Sequence, residues 1–229
     1  MRKYLLILAF LAFPFTQDAR TSQKGDPFEA LHEGIERHSD SLMREFFESW
    51  YHASEPLRKT PTTNLQKDAE GILEALSDPA QRNAILWGSR SDSIVPKPLP
   101  PYVVLWPIVE IYSDSINNGP ADSLENMFPP ELFGAKTLVY MKNYVDSVER
   151  YFRSWGSPNR GYVAKFTALS CHEMGCGILL EPVIPSIRFS DGNTVAIVRY
   201  AMDEEVWDYT LTKVSGKWKA TKSLMKSIE

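Results

Sequence analysis

Two cysteines and four histidines in 229 residues are a thin supply for metal or redox chemistry. There is no HExxH, so a zinc-protease reading has no anchor. No GxGxxG or GxxxxGK[ST] loop is present, and no serine sits in a GxSxG elbow. Dinucleotide, phosphate-loop and serine-hydrolase readings therefore lack support. Basic residues form no block and do not interleave with aromatic ones, and the formal net charge is −4. Nucleic-acid binding, which depends on neutralising phosphates, is disfavoured. No catalytic constellation, metal site or cofactor is expected. The longest apolar run, Tyr4–Phe15, falls short of the about 20 residues that a membrane-spanning helix needs.

That run has a different meaning. It follows the cations Arg2 and Lys3 and gives way to polar Thr16–Arg20, the three-part pattern of a secretory signal. Residues 1–19 are expected to be a signal peptide and 20–27 a spacer, with the cut between Thr16 and Arg20. Neither cysteine lies nearby, so no thioether lipid is expected. An exported protein follows, periplasmic or extracellular, with no integral membrane segment after cleavage. With 43% hydrophobic residues, six Trp, ten Tyr and eleven Phe, the rest can bury a core and is not a disordered chain.

Residues 28–229 are expected to form a single α+β domain. A helical part covers 28–88, a proline-rich connection 89–101, and a mixed, then β-rich part 102–229. Phe28, Leu31, Ile35, Leu42, Phe46 and Trp50 stand at helical spacing. The stripe lapses at His38-Ser39-Asp40, as a turn within one helix or the cap of a second beginning near Ser41. Thr63-Asn64-Leu65-Gln66 has the form of a capping box, and Leu65, Ala69, Ile72, Leu73 and Leu76 make the buried face of the helix after it. Tyr102–Leu105 and Ile108–Tyr112 read as one strand interrupted by Pro107. Leu138–Met141 is a short strand, and Val145, Val148, Tyr151, Phe152 and Trp155 form a helix stripe.

From Tyr162 the texture turns to strands, at 162–170, 176–184, 186–189, 194–201, 206–213 and 217–221. Asp191-Gly192 and Ser215-Gly216 are hairpin signals. Trp207, Tyr209 and Leu211 alternate with Asp208, Thr210 and Thr212, so Asp208 faces out. The 194–201 run is apolar on both parities, which predicts a central strand covered on both sides. Helices first and an antiparallel meander after them imply N-terminal helices packed on a curved C-terminal sheet.

Ile187–Phe189, Thr194–Tyr200, Trp207–Leu211 and Gly216-Lys217-Trp218-Lys219 together resemble the closing strands of NTF2-like (cystatin-like α+β) domains. Tyr102–Leu105 after the prolines, Leu138–Met141 running into a helix, and the tail Ile228-Glu229 are similar to exported proteins of Bacteroides-type bacteria. The resemblance implies a curved sheet wrapped on helices, often with a pocket. Some such domains are isomerases or dehydratases with an Asp–His or Asp–Tyr pair. No such pair matches here, so no activity carries over.

Cys171 and Cys176, flanking His172-Glu173-Met174-Gly175, are expected to form a disulfide at a hairpin tip in an oxidising compartment, contributing about 2 kcal/mol. Free thiols, or a metal or redox site with His172, are the alternatives; the spacing matches no standard zinc knuckle. His32 with Glu36 and Glu48 with His52 stand one helical turn apart and support helices as solvated pairs. Arg199 is the one charge in an apolar strand. Pointing inward, it would hold an anionic ligand; pointing outward, it would pair with Asp203, Glu204 or Glu205. Trp50, Trp155, Trp207 and Trp218 are assigned to the core. The expected function is a non-enzymatic exported module binding a protein or small-molecule partner. The alternatives are a small-molecule enzyme (isomerase, dehydratase or hydrolase) with its site between sheet and helices, and a structural or toxin-neutralising surface protein.

Overall fold

The computed structural model describes residues 26–78, 100–114, 119–132, 134–152, 158–167, 169–171, 178–180, 183–190, 192–202 and 205–228. The expected signal segment, most of the proline-rich connection, Trp155, and the loop from His172 to Cys176 lie outside these residues.

The lapse at His38 separates two helices, α1 (Pro27–Glu36) and α2 (Asp40–Ser54). Asp26 caps α1 by accepting from the Phe28 N–H at 3.0 Å, and Pro27 occupies a first-turn position where its missing N–H costs nothing. His38 turns the chain at φ 49°. The two helices approach closely at Gly34, where a Cβ would meet the Met43 backbone nitrogen at 3.1 Å. A 3₁₀ turn at Glu55–Leu57 follows, then α3 (Asn64–Ser77). The capping box of α3 is formed: the Thr63 hydroxyl accepts from the Gln66 N–H, and the Gln66 carboxamide oxygen accepts from the Thr63 N–H.

The strands that follow are β1 (Tyr102–Leu105), β2 (Ile108–Ser113), β3 (Asp122–Glu125), β4 (Glu131–Leu132) and β5 (Ala135–Val139). After them come α4 (Lys142–Phe152) and α5 (Pro158–Val163). The chain closes with β6 (Leu169–Cys171), β7 (Ile178–Leu180), β8 (Ser186–Ser190), β9 (Val195–Met202), β10 (Glu205–Val214) and β11 (Lys217–Ile228). The architecture is α+β, with a three-stranded sheet β1-β5-β4, a six-stranded sheet β11-β10-β9-β8-β2-β3 and a β6–β7 pair. Ser215 and Gly216, at φ 51° and 78°, make the tight β10–β11 turn.

Four expectations need correction. Tyr102–Leu105 and Ile108–Ser113 are not one interrupted strand: β1 pairs with β5 and β2 with β3 and β8. Trp106-Pro107 is the crossing between sheets, where proline's missing donor does no harm. The large sheet is mixed, because β2 and β8 run parallel. Residues 162–163 end helix α5, and the strand begins only at Leu169; tertiary packing of Tyr162 and Val163 overrides their strand propensity. Finally, β9 is central, but among the described residues only one of its sides is covered. Ala196, Val198 and Tyr200 are buried, while Ile197 and Arg199 are exposed.

Two cores result. α1, α2, α4 and α5 close on β1 and β5 around Phe46, Phe47, Trp50, Tyr144 and Val148. The Trp50 indole N–H donates to the Val139 carbonyl at 2.9 Å, and Ser54 Oγ accepts from the Val139 N–H at 3.0 Å, which ties α2 to the end of β5. The second core lies between α3 and the inner face of the six-stranded sheet. Ile72, Leu73, Phe189, Val198, Tyr209 and Trp218 fill it. The Phe189 and Trp218 rings stand 5.6 Å apart, and Tyr200 meets Tyr209 edge-on at 5.7 Å.

Candidate functional site

Strand alternation sorts the six-stranded sheet into a packed face and a face on which no described helix lies. On β9, Ile197 and Arg199 point away from α3. The register carries this outward face across the sheet. Ile197 neighbours Arg188 on β8 and Thr210 on β10, Arg199 neighbours Asp208, and Arg188 neighbours Tyr112 on β2. Along β11, Trp218 and Ala220 pack inward, so Lys217 and Lys219 project outward by alternation. The register shift between Thr210 and Leu211, which leaves Thr221 without a paired residue on β10, keeps Lys222, Leu224 and Lys226 with them, since one extra residue restores the same face.

This face is unusual in two respects. Four of the six exposed large hydrophobic residues among those described stand on it: Ile108 (45% exposed), Ile197 (42%), Val214 (45%) and Leu224 (49%). Across β8–β11 its described side chains also include six cations, Arg188, Arg199, Lys217, Lys219, Lys222 and Lys226, but one carboxylate, Asp208. Asp208 is already engaged. Arg199 Nε donates to it at 3.1 Å, and Lys226 Nζ stands 3.4 Å away. The hydrogen bond from Arg199 to Asp208, and that carboxylate's charge, hold the guanidinium above its ordinary range. Arg188 lies over the Tyr112 ring at 5.2 Å, and the Tyr112 hydroxyl donates to Glu110. That bond, with slight desolvation and the Glu110 charge, raises the phenol above its usual value. Lys217, Lys219 and Lys222 have no carboxylate partner among the described residues.

The sequence-predicted residues fall in different places. Arg199 lies on this outward face, not between sheet and helices, and Asp208 is its partner among the described residues; Asp203 and Glu204 lie outside them. Asp208 faces out as alternation requires. Cys171 ends β6, and its pairing with Cys176 falls outside the described residues. His32 meets Glu36 at 3.2 Å and also the Tyr151 hydroxyl at 2.9 Å. His52 is drawn to Glu55 at 3.6 Å. Glu48 turns instead to Lys136, whose ammonium donates to both carboxylate oxygens at 2.7 Å, and to the Tyr102 hydroxyl, also at 2.7 Å. Burial alone would raise the Glu48 carboxyl, but these two donors outweigh it and hold it below its usual range. Tyr51 receives Lys136 at 4.8 Å and Arg58 at 5.4 Å over its ring, and Arg58 Nη1 donates to Thr137 Oγ1 at 2.9 Å. The group braces α2 and the following turn against β1 and β5.

Sequence reasoning missed the lysine row on β11 and the exposed Trp106, whose ring lies tilted against Tyr140 at 5.8 Å where β1 and β5 end. The lysines did carry a signal: Lys217-Trp218-Lys219-Ala220 is a period-two pattern of cation and apolar residue. Trp106 carried none, because its exposure depends on the chain leaving one sheet for another.

Among the described residues, no group of three or more His, Cys, Asp or Glu could hold a metal ion, and no helix is long and apolar enough to cross a membrane. No family model, curated protein or solved structure matches the chain.

Proposed function

We propose that this chain is an exported, non-enzymatic interaction module, built on an NTF2-like scaffold, that binds a partner through the face of its six-stranded sheet on which no described helix lies. The observation that carries the reading is how the space between α3 and the sheet is used. In a ligand-binding member of such a fold, that space holds an open cavity with a few converging polar groups. Here it holds Phe189, Trp218, Tyr209, Val198, Ile72 and Leu73, all buried. The Lys213–Asp68 pair, joined by the Trp218 indole N–H, ties α3 to the sheet beside this packing, while Arg199, Asp208, Arg188 and Tyr112 stand on the opposite face among exposed aliphatic side chains. Arginine and tyrosine are enriched at protein-binding surfaces, and here they stand beside exposed Ile197 and Leu224. The scaffold assignment is supported by a helix laid across one face of a mainly antiparallel sheet. That sheet includes the Trp207–Leu211 strand and the Gly216-Lys217-Trp218 hairpin that carry the resemblance.

The reading is tested on the full chain recovered from its producing cell by size-exclusion chromatography. The unaltered chain is expected to elute in a discrete complex above the mass of one chain, 26.1 kDa before any cleavage. Ile197→Asp with Leu224→Asp, both surface positions, should return it to the size of the chain alone. Elution unchanged by both substitutions would count against the surface, and a catalytic activity lost on changing one buried polar residue would overturn the whole reading.

A further inference from the structure

We infer that the outward face of the six-stranded sheet seats an acidic amphipathic helix of a partner protein, laid along β9 and β10. The inference rests on the surface-binding reading and gives the partner its chemistry and its shape.

The register sets the geometry. One row across this face runs Arg188, Ile197, Thr210, Lys222, from β8 to β11. The next row along the strands runs Val195, Thr212, Lys219, from β9 to β11. The middle of both rows offers aliphatic groups and threonine methyls, and cations stand at the flanks. Neighbouring strands lie about 4.8 Å apart, so the backbones of Arg188 and Lys222, three strands apart, are separated by roughly 14 Å. An α-helix with its side chains is about 10–12 Å across. A helix resting on Val195 and Ile197 therefore holds side chains on both of its flanks within reach of cations. Leu224, opposite Asp208 on β11, extends the apolar contact beyond the second turn.

The charge sets the chemistry. Arg188, Lys219 and Lys222 are exposed and have no carboxylate partner among the described residues. Asp208, the carboxylate of this face on β8–β11, is already held by Arg199 and Lys226. The two longest stretches outside the described residues would add like charge. Residues 1–25 carry Arg2, Lys3, Arg20 and Lys24 against Asp18, and residues 79–99 carry Arg82, Arg90 and Lys97 against Asp92. The complementary element is an aliphatic stripe with glutamate or aspartate along both sides, which is how an amphipathic helix docks by its apolar face.

Other occupants fit less well. The exposed large apolar side chains among the described residues are Leu57, Trp106, Ile108, Ile197, Val214 and Leu224. None of them lies on α1 to α5, so no described helix of a second copy presents such a stripe. Two copies placed face to face would set cations against cations. A bilayer is favoured by tryptophan and tyrosine at its interface, whereas Ile108, Ile197, Val214 and Leu224, the exposed large apolar residues of this face, are all aliphatic.

The test uses the full chain, labelled with nitrogen-15 and at its Ile and Leu methyls. It is titrated with a soluble peptide of five helical turns, about 18 residues, bearing a leucine stripe, glutamate on both flanks and glutamine elsewhere. The Ile197 and Leu224 methyls and the amides of β9 and β10 should shift, while Leu57, exposed on the turn after α2, should not. Binding should weaken as salt rises, because exposed charges are screened. Lys219→Gln and Lys222→Gln should each weaken it by roughly 1.5- to 5-fold, the range for exposed ion pairs. Ile197→Asp should weaken it by roughly tenfold or more, the effect of losing one buried aliphatic side chain. Three results would each overturn the inference: no shift at Ile197 and Leu224, equal binding of a peptide with lysine in place of glutamate, or equal binding of a peptide of the same composition scrambled to break the stripe. Vesicles containing phosphatidylglycerol that shift this face where the peptide does not would transfer the site to membranes and also overturn it. A size-exclusion complex lost on Ile197→Asp with Leu224→Asp, together with no response to the acidic helix, would remove the helix while leaving the surface reading intact.

Discussion

Truncating Phe189 to alanine probes whether the region between α3 and the six-stranded sheet is a packed core or a cavity. Phe189 is fully buried on β8, against the Trp218 ring and within the cluster that includes Ile72, Leu73 and Val198. Removing a buried phenylalanine side chain from a close-packed site loses its transfer free energy and leaves a void, together about 3–5 kcal/mol. Against a total stability of about 5–15 kcal/mol for an ordinary domain, that is a large fraction. At about 2–4 °C per kcal/mol for a chain near this size, melting should fall by roughly 6–20 °C. The assay is urea unfolding followed by tryptophan fluorescence and near-ultraviolet circular dichroism, with the slope against urea unchanged so that midpoints report stability. Arg199→Ala, on the other face of the same sheet, is the internal comparison. Its half-exposed pair with Asp208 should be worth no more than about 1 kcal/mol. A loss below about 1 kcal/mol for Phe189→Ala would mean that the side chain borders open space, and the argument from a filled interior would fail.

Other outcomes follow from particular contacts. Thr63→Ala removes both the α3 cap and a 2.6 Å hydrogen bond to Asp122, so unfolding should come about 1–2 kcal/mol earlier, read by the same urea titration. Burial would raise the Asp122 carboxyl, but donation from Thr63, the Ser123 N–H and Gln66 outweighs it and holds it below its usual range. Its contribution is therefore complete above the unfolded carboxylate value of about 3.9 and lost as pH falls through the lower folded one. Acid unfolding should be less steep in Asp122→Asn. Tyr162 is pushed up to about 12 by desolvation, its hydrogen bond to Asp40 and that carboxylate's charge. A raised value favours the protonated folded form up to the unfolded value near 10 and loses that advantage as pH rises through about 12. Ultraviolet titration should show one fewer late-ionising phenol in Tyr162→Phe, and the variant should lose less stability over that alkaline range.

How much was legible in the sequence follows from which interactions are local. The capping box at Thr63–Gln66 and the turn at Ser215-Gly216 are set by residues within a few positions of one another, and both formed as read. Alternation placed Asp208 outside and Tyr209 and Leu211 inside, because on a sheet with one packed face parity alone decides. What failed depended on partners distant in the chain. The apolar character of both parities in the 194–201 run suggested cover on both sides, yet among the described residues only α3's side is covered, and Ile197 stands exposed on the other. Pro107 looked like a flaw in one strand, whereas β5 and β8, both distant in sequence, claim the two halves for different sheets. The outward reading of Arg199 was the favoured one, but its partner could not be named until the register set Asp208 beside it. The β11 lysines form a row only because the strand continues to Ile228, past the end its sequence pattern suggested.

The surface-binding account is tested most directly by a photo-activated cross-linking residue placed at Ile197 in the full chain, expressed in its producing cell. A second chain carries it at Lys142, which is exposed at the start of α4 and away from the six-stranded sheet. The account predicts a discrete adduct from position 197, abolished by Leu224→Asp, and none from position 142. Equal labelling from both positions, or none from 197, would contradict it.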